Sequence, residues 1–308
     1  MPVLVSSVAV FHGFVAIDGW FLTPNDPLIS VALQGGNAVS LQSTIAPQRA
    51  DTAGNPDGHY RFGLHGYLND CAPPDAQLVF QTALGQVHVS TIHDLVLARR
   101  LTLGSNALNE RFHAAVSDKP GAMLLDVGGR ARSGLDRSSH FQQARTTVFD
   151  INPGDNVDIV GDAHQLSQHL PATSYDFVQS ISVFEHLARP WVVIAEINKV
   201  MKVGGLLFIA SHQTVGMHDV PWDFWRFSDQ AYRALLSEET GFKVLAAEMH
   251  EPAHIVPQLY VHDLHQGCEQ AAGFMSSAVL AIKTRDSQHS FEAADAAPPD
   301  VMNTPYPA

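Results

Sequence analysis

The sequence predicts an α/β chain in which a doubly wound parallel sheet follows a small, sandwich-like all-β module. Three observations carry this expectation. From residue 119 onward, short apolar runs alternate with helical patterns, as in parallel sheets with crossover helices. The first of those runs ends in Asp126 and opens into a turn with adjacent glycines, Gly128 and Gly129. Residues 1–92 differ in texture: β-branched and aromatic runs are punctuated by Gly, Pro, Asn and Asp clusters, the pattern of antiparallel strands.

In the N-terminal module the runs SSVAVFHGFVAI, LISVALQ, HYRFGLHGYL and AQLVFQTAL are separated by TPNDP, QGGN, AGNPDG and NDCAPPD. The opening stretch is apolar but has no basic leader or small-residue cleavage site, so it reads as a strand rather than a signal peptide. Residues 93–118 read as a helical linker and lid over the site's mouth, because Leu95, Leu97, Leu101, Leu103, Leu108 and Phe112 recur at helix-like spacing. Residues 119–285 form the parallel-sheet domain. From Asp286 the composition turns to Ser, Ala, Asp and Pro, which predicts a disordered tail over 286–308.

Within the sheet domain the polar strand ends matter most. A second run, Thr146 to Phe149, ends in Asp150, 24 positions beyond Asp126. That is close to the spacing of about 20 for an acid that hydrogen-bonds ribose hydroxyls. A third run, Val157 to Val160, ends in Gly161-Asp162-Ala163, and a fourth, Tyr175 to Val183, ends before Phe184-Glu185-His186-Leu187. Parallel strands end on one edge, so these residues point into one crevice. The glycines let backbone approach a ligand closely, and a helix expected to start near Leu135 to Arg137 would offer unpaired N–H groups. Farther on, Pro190 opens a helix running to about Met201, and Leu206 to Ser211 is a strand. Ser228 caps a helix over Asp229–Glu239 that Gly241 terminates, while Phe242–Met249 and Ser277–Lys283 are strands closing the sheet.

Composition narrows the partners. A formal charge of −13 over 308 residues argues against a nucleic-acid partner, which needs clustered Lys and Arg. No run of apolar residues is long enough for a membrane span. Cys71 and Cys268 read as two reduced thiols in a cytoplasmic protein. The 17 histidines invite a metal reading. However, His262-Asp263-Leu264-His265 with Cys268 has no matched second half at zinc spacing, and His250 and His254 straddle a strand end at Glu251-Pro252. No metal is expected.

From about residue 95 to 285 the chain resembles the class I S-adenosylmethionine-dependent methyltransferases of the small-molecule and glycan-modifying type. The resemblance rests on LLDVGG (124–129), VFDIN (148–152), IVGDAHQL (159–166), LPATSYDFVQSISVFEHLARP (170–190) and EINKVMKVGGLLFIA (196–210). It implies a seven-stranded Rossmann-like domain and S-adenosylmethionine as cofactor. By resemblance, Asp126, Gly128 and Gly129 border the methionine part, Asp150 holds the ribose and Ile151 meets the adenine. Asp162 takes the adenine amino group, Ala163 and His164 flank the ring, and Ser180 and Ile181 lie beside the sulfonium. The chain departs from the family pattern at Arg130, where the turn's second glycine falls. It also lacks a proline before Gly204-Gly205.

Two positions suit a general base. His186 follows the fourth strand and reads either as a base or as a structural cap. After the fifth strand, SHQTVGMHDVPWDFWRFS (211–228) interleaves aromatic and polar residues like an orienting pocket. Its stretch from His218 to Phe227 is similar to one that sits over the active site in the resembled family. His212 and His218 are base candidates. Trp222 and Trp225 could stack on a planar or sugar acceptor. Arg226 could clamp an anionic group, or pair with Asp223 to pin the loop. The N-terminal module resembles β-sandwiches attached to glycan-modifying enzymes. The expected function is O-methylation of a small-molecule or carbohydrate-linked acceptor. A non-catalytic glycan-binding scaffold with a relic cofactor fold and a nicotinamide-dependent oxidoreductase stand as alternatives. The acceptor, the atom methylated and whether the chain forms a homo-oligomer stay open.

Overall fold

The computed structural model describes residues 3–11, 14–23, 25–34, 38–47, 59–68, 76–95, 107–132, 134, 136–253, 255, 273–289 and 305–306. The chain divides into two compact units, Met1–Gly104 with Ala253–Ala272, and Ser105–Pro252 with Gly273–Ala308.

The first unit holds two antiparallel sheets. One runs β1 (Val3–Phe11), β2 (Phe14–Leu22), β5 (His59–Leu68), β4 (Ala38–Pro47), and the other β3 (Leu28–Gln34), β6 (Gln77–Thr82), β7 (Val87–Thr91). Phe11 lies opposite Phe14, so the opening apolar stretch is a hairpin rather than one strand. Val15, Ile17, Phe21, Phe62 and Leu64 of the first sheet share a core with Leu28, Val31, Leu78 and Phe80 of the second. Phe80 stacks on Phe21 with ring centroids 5.2 Å apart and meets Phe62 edge-on at 4.9 Å. This is the sandwich-like module.

The second unit is built on a seven-stranded sheet in the order β10 (Ile159–Val160), β9 (Arg145–Asp150), β8 (Met123–Val127), β11 (Tyr175–Ile181), β12 (Met201–His212), β14 (Gly273–Lys283), β13 (Phe242–Ala253). The five strands from β10 to β12 are parallel, and β14 runs antiparallel to β12. Alternation along the strands feeds two cores, one on each face. Leu125, Val178, Leu207, Ile209, Val279 and Ala281 pack with α3 (Pro190–Val200) and α4 (Asp229–Leu235). Leu124, Phe177, Phe208, Ala278 and Leu280 pack with α1 (Ala107–Ser117). There Phe112 stacks on Phe208 at 5.6 Å and meets Phe177 edge-on at 5.9 Å. Pro190 occupies the first turn of α3, and the Ser228 hydroxyl caps α4 by accepting from the Ala231 N–H. A single short turn, α2 (Leu166–His169), follows β10.

Several expectations shift. The helix expected near Leu135 to Arg137 is only a 3-10 turn, Arg137–His140, capped by Asp136. The linker is helical at residues 92–95, residues 96–106 lie outside the described residues, and α1 packs on a face of the sheet and borders none of the cavity. The last helix of the pair stops at Leu235, short of Glu239. The tail begins tethered: Asp286 pairs with Lys283, and Ser287 N–H donates to Asn198 Oδ1. Residues 290–304 and 307–308 lie outside the described residues, as do Cys71, Cys268, His254, His262, Asp263 and His265. Among the described residues, no helix is long and apolar enough to cross a membrane.

The edge of the sheet opposite the strand ends carries its own clamp. Buried Asp176, at the start of β11, accepts from Met123 N–H (2.9 Å), Lys119 Nζ (2.8 Å) and Lys202 Nζ (2.9 Å). Burial pushes its carboxyl up, but these donors outweigh burial and hold it at about 2. A depressed carboxyl contributes stability above the unfolded value near 4 that is lost as pH falls toward 2. Asp176→Asn is therefore expected to cost about 1–2 kcal/mol at pH 7, after allowance for the exposure of both lysines. Denaturant midpoints should converge with those of the parent chain near pH 2.

Candidate active site

The parallel strands end together, and the loops that follow enclose a cavity of about 500 Å3. β8 delivers Val127 and Gly128, β9 delivers Asp150 and Ile151, and β10 delivers Asp162 and Ala163. β11 delivers Ile181 and Ser182, and β12 delivers His212. Gly128 has φ +76°, and a Cβ built on it would come 2.2 Å from Val183 Cγ2. Only glycine allows backbone to border the cavity there.

Neighbouring candidates support this wall from behind. A Cβ on Gly129 would lie 2.6 Å from Asp126 Cγ, so the second glycine packs against the acid rather than the cavity. Asp126 is itself buried and accepts from Gln179 Nε2 at 2.8 Å. Burial pushes its carboxyl up to about 6, with the Gln179 hydrogen bond pulling the other way. Ser180 is likewise buried, its hydroxyl donating to the Val127 carbonyl at 3.0 Å. Asp126, Gly129 and Ser180 thus brace the wall, while Ile181 and Ser182 border the hollow. Ser182 holds φ +57°, an uncommon conformation for a non-glycine residue.

Asp150 stands at the cavity wall. Its Oδ1 accepts from Asn152 N–H (2.9 Å) and its Oδ2 from Arg130 N–H (3.3 Å). Arg130, the departure from the glycine pattern, keeps that backbone donor in place and lays its side chain along Gly154. Asp162 Oδ1 accepts from the His164 backbone (2.9 Å) and contacts His164 Nδ1 (2.7 Å). Because Arg189 N–H donates to His164 Nε2, the His164 proton sits on Nδ1.

The other wall comes from the loops after β11 and β12. Glu185 is fully buried, and its Oε2 accepts from Ser211 Oγ at 2.6 Å. Its Oε1 lies 3.0 Å from His212 Nδ1 and 3.8 Å from His186 Nε2. Burial holds the His212 imidazole below its usual value, while the Glu185 carboxylate raises it. The His186 ring sits 4.9 Å from the His218 ring, and His218 5.0 Å from His212. Trp222 borders the same hollow.

The remaining loop residues do not face the cavity. Arg226 forms a double ion pair with Asp223 (2.6 and 2.8 Å) and donates to the Val215 and Gly216 carbonyls. Asp223 also accepts from His218 N–H at 2.9 Å. Trp225 Nε1 donates to the Leu187 carbonyl, and the Phe224 and Trp225 N–H groups both donate to the Glu185 carbonyl. Of the two readings of Arg226, the structure takes loop pinning. This framework presents His212, His218 and Trp222 to the cavity.

Sequence reasoning missed Arg132, Arg137, Asp219 and Tyr306, all of which border the cavity. Arg132 donates to both Asp219 oxygens at 2.6 and 3.0 Å. Nothing local in the sequence couples two residues so far apart. Tyr306 falls in a stretch of tail-like composition, yet its ring lies 5.5 Å from His186 and 5.8 Å from Trp222. Glu185 was visible beside His186, but its closer partner, His212, was not.

The antiparallel strand β14 between β12 and β13 departs from the 3-2-1-4-5-6 order of dinucleotide-binding sheets, which counts against the nicotinamide reading. Residues 123–209 match the family model described as a methyltransferase domain. That span is a methyltransferase domain. No curated protein matches it. Solved structures similar to the enzyme include a SAM dependent methyltransferase from Archaeoglobus fulgidus, at 19% identity, covering 62% of this chain and 100% of that one, with a TM-score of 0.42. Another is a SAM dependent methyltransferase from Aquifex aeolicus, at 16% identity, 57% and 89% coverage and a TM-score of 0.39. The cyclase SpnF is similar at 17% identity, 57% and 81% coverage and 0.39.

The methyltransferase's residues fit S-adenosylmethionine on their own geometry. The Gly128 cradle would be filled by any Cβ, and two carboxylates, Asp150 and Asp162, stand at the ends of adjacent strands with apolar Ile151 and Ala163 beside them.

Proposed function

We propose that the enzyme methylates an oxygen of a small-molecule or carbohydrate-linked acceptor, with His212 as general base. When bound, S-adenosylmethionine supplies a methyl group on a sulfonium whose C–S electron pair stays with sulfur. The chain's own contribution is alignment, exclusion of water and removal of one proton. In this reading Asp150 holds the ribose hydroxyls, Asp162 and His164 the adenine side, and Gly128 with Ile181 the sulfonium end. The acceptor lies against Trp222, His186 and His218. One observation carries the base assignment: Glu185 Oε1 is 3.0 Å from His212 Nδ1, in a cavity wall shared with Asp150. A buried carboxylate beside an imidazole stabilises the imidazolium formed when Nε2 takes the acceptor's proton. The N-terminal sandwich is read as the part that engages a carbohydrate, and the net charge of −13 as turning nucleic acid away.

The test has two arms. Calorimetric titration should show S-adenosylhomocysteine binding that weakens at least tenfold in Asp150→Ala, since a charge-assisted hydrogen bond contributes roughly 1.5–3 kcal/mol. Isotopically labelled S-adenosylmethionine should place label on oxygen in a small-molecule or glycan fraction. Label on carbon or on nucleic acid would overturn the acceptor assignment.

A further inference from the structure

Beyond the base, the acceptor wall carries a second arrangement of donors. Among the described residues, Glu185, His186 and His218 each offer one ligand atom, and these atoms lie within 4.8 Å of one another. Hydrogen bonds fix which nitrogens are free. His186 Nδ1 lies 2.8 Å from the Trp222 carbonyl and His218 Nδ1 3.0 Å from the Gly216 carbonyl. A carbonyl only accepts, so each Nδ1 carries the proton and each Nε2 keeps its lone pair. Backbone carbonyls that hold the far nitrogen in this way are what orient histidines around a metal. The third donor is unusual in a buried site. Glu185 is fully buried, and its Oε1 makes no hydrogen bond of good geometry among the described residues. A buried carboxylate oxygen left in that state is costly unless a positive charge meets it, and while the neighbouring His212 ring is neutral a metal ion would supply that charge.

We propose that Glu185, His186 and His218 bind one divalent transition-metal ion, with an open coordination position toward the cavity. Two imidazoles and one carboxylate suit Zn2+ and its neighbours in the first row, and a site with three protein ligands leaves room for a substrate oxygen. Bonds of about 2.0–2.1 Å in a tetrahedral site set donors about 3.3 Å apart. Glu185 Oε1 and His186 Nε2 stand at 3.8 Å, so they need close in by only a fraction of an ångström. Asp219 Oδ2, 3.9 Å from His186 Nε2, is held by Arg132 and stays in reserve at the rim. The ion deepens the proposed function and rests on it: bound to the acceptor's oxygen, it lowers that oxygen's pKa and leaves His212 to carry the proton away.

The experiment uses the full chain, stripped with a chelator and titrated with ZnCl2 by calorimetry, with S-adenosylhomocysteine titrated separately. One equivalent of Zn2+ is expected to bind. Its affinity should fall at least tenfold in His218→Gln and in Glu185→Gln, and should be unchanged in His93→Ala, an exposed histidine of the first unit. His218 is a loop residue, so its variant keeps the fold testable even where Glu185→Gln does not, and thermal unfolding of each variant confirms this. Absence of stoichiometric Zn2+ binding, or binding equally strong in His218→Gln, overturns the metal site. S-adenosylhomocysteine binding without Zn2+ binding would sink this inference alone, whereas Zn2+ binding without S-adenosylhomocysteine binding would sink the reading of the cavity on which the ion's role rests.

Discussion

Gly128→Ala is expected to lose about 3 kcal/mol of unfolding free energy and to weaken S-adenosylhomocysteine binding at least tenfold. Two costs combine. A Cβ at φ +76° costs about 1–2 kcal/mol, because an L side chain crowds its own carbonyl in the left-handed region. The same Cβ would sit 2.2 Å from Val183 Cγ2, and moving that side chain in a packed wall costs about 1–3 kcal/mol more. Both residues border the cavity, so relief of the overlap narrows the hollow. The two contributions can be separated. Gly128→Ala/Val183→Ala should recover the overlap cost and leave the conformational one, measured as a double-mutant cycle in denaturant. A fully additive cycle would show that Val183 is not the obstacle.

Asp126→Asn should act in the opposite direction. The parent carboxyl is raised to about 6 in the folded chain by burial, so the native state binds its proton more tightly than the unfolded state does. The group's contribution to stability is therefore full below the unfolded value near 4 and is lost as pH rises through 6. Above that pH the fold carries an ionised, buried carboxylate, a cost of up to about 3 kcal/mol at 1.36 kcal/mol per pH unit. Asparagine avoids it. Its Oδ1 still accepts from Gln179 Nε2, and its amide can offer a hydrogen to Gln179 Oε1, which is buried without a hydrogen-bond partner among the described residues. The variant should be more stable than the parent by up to about 3 kcal/mol at pH 7–8, with the gain vanishing below pH 4. Guanidinium midpoints at several pH values check this, and a less stable variant at pH 7 would show that Asp126 is charged and well compensated. Because Asp126 stands behind the cavity wall, S-adenosylhomocysteine affinity should change less than in Asp150→Ala.

These two neighbours show where sequence reasoning reached its limit. Apolar runs ending in Asp126, Asp150 and Asp162 were enough to place three acids at the ends of parallel strands, because strand direction and a period of two follow from local pattern. They could not say which acid faces the hollow. Asp150 and Asp162 border it, but Asp126 points into packing with Gly129 and Gln179. The helix expected after the glycine turn shrank to a 3-10 turn, since Asp136 closes on Ser138 and competes with a longer helix.

By itself, then, the sequence determined the sheet domain, the β module before it and the strand ends that line the site, while the cofactor class came through its resemblance to a known family. Each of those depends on local periodicity, turn chemistry and ordered motifs. Tertiary structure alone decided how the loop residues divide. Asp223, Trp225 and Arg226 became scaffold, while His212, His218 and Trp222 became wall. It also brought Arg132 to Asp219, Tyr306 to His186 and Glu185 to His212. Those pairings join residues far apart in the chain, and a side chain's hydrogen-bond partner is settled by three-dimensional proximity that no local pattern encodes.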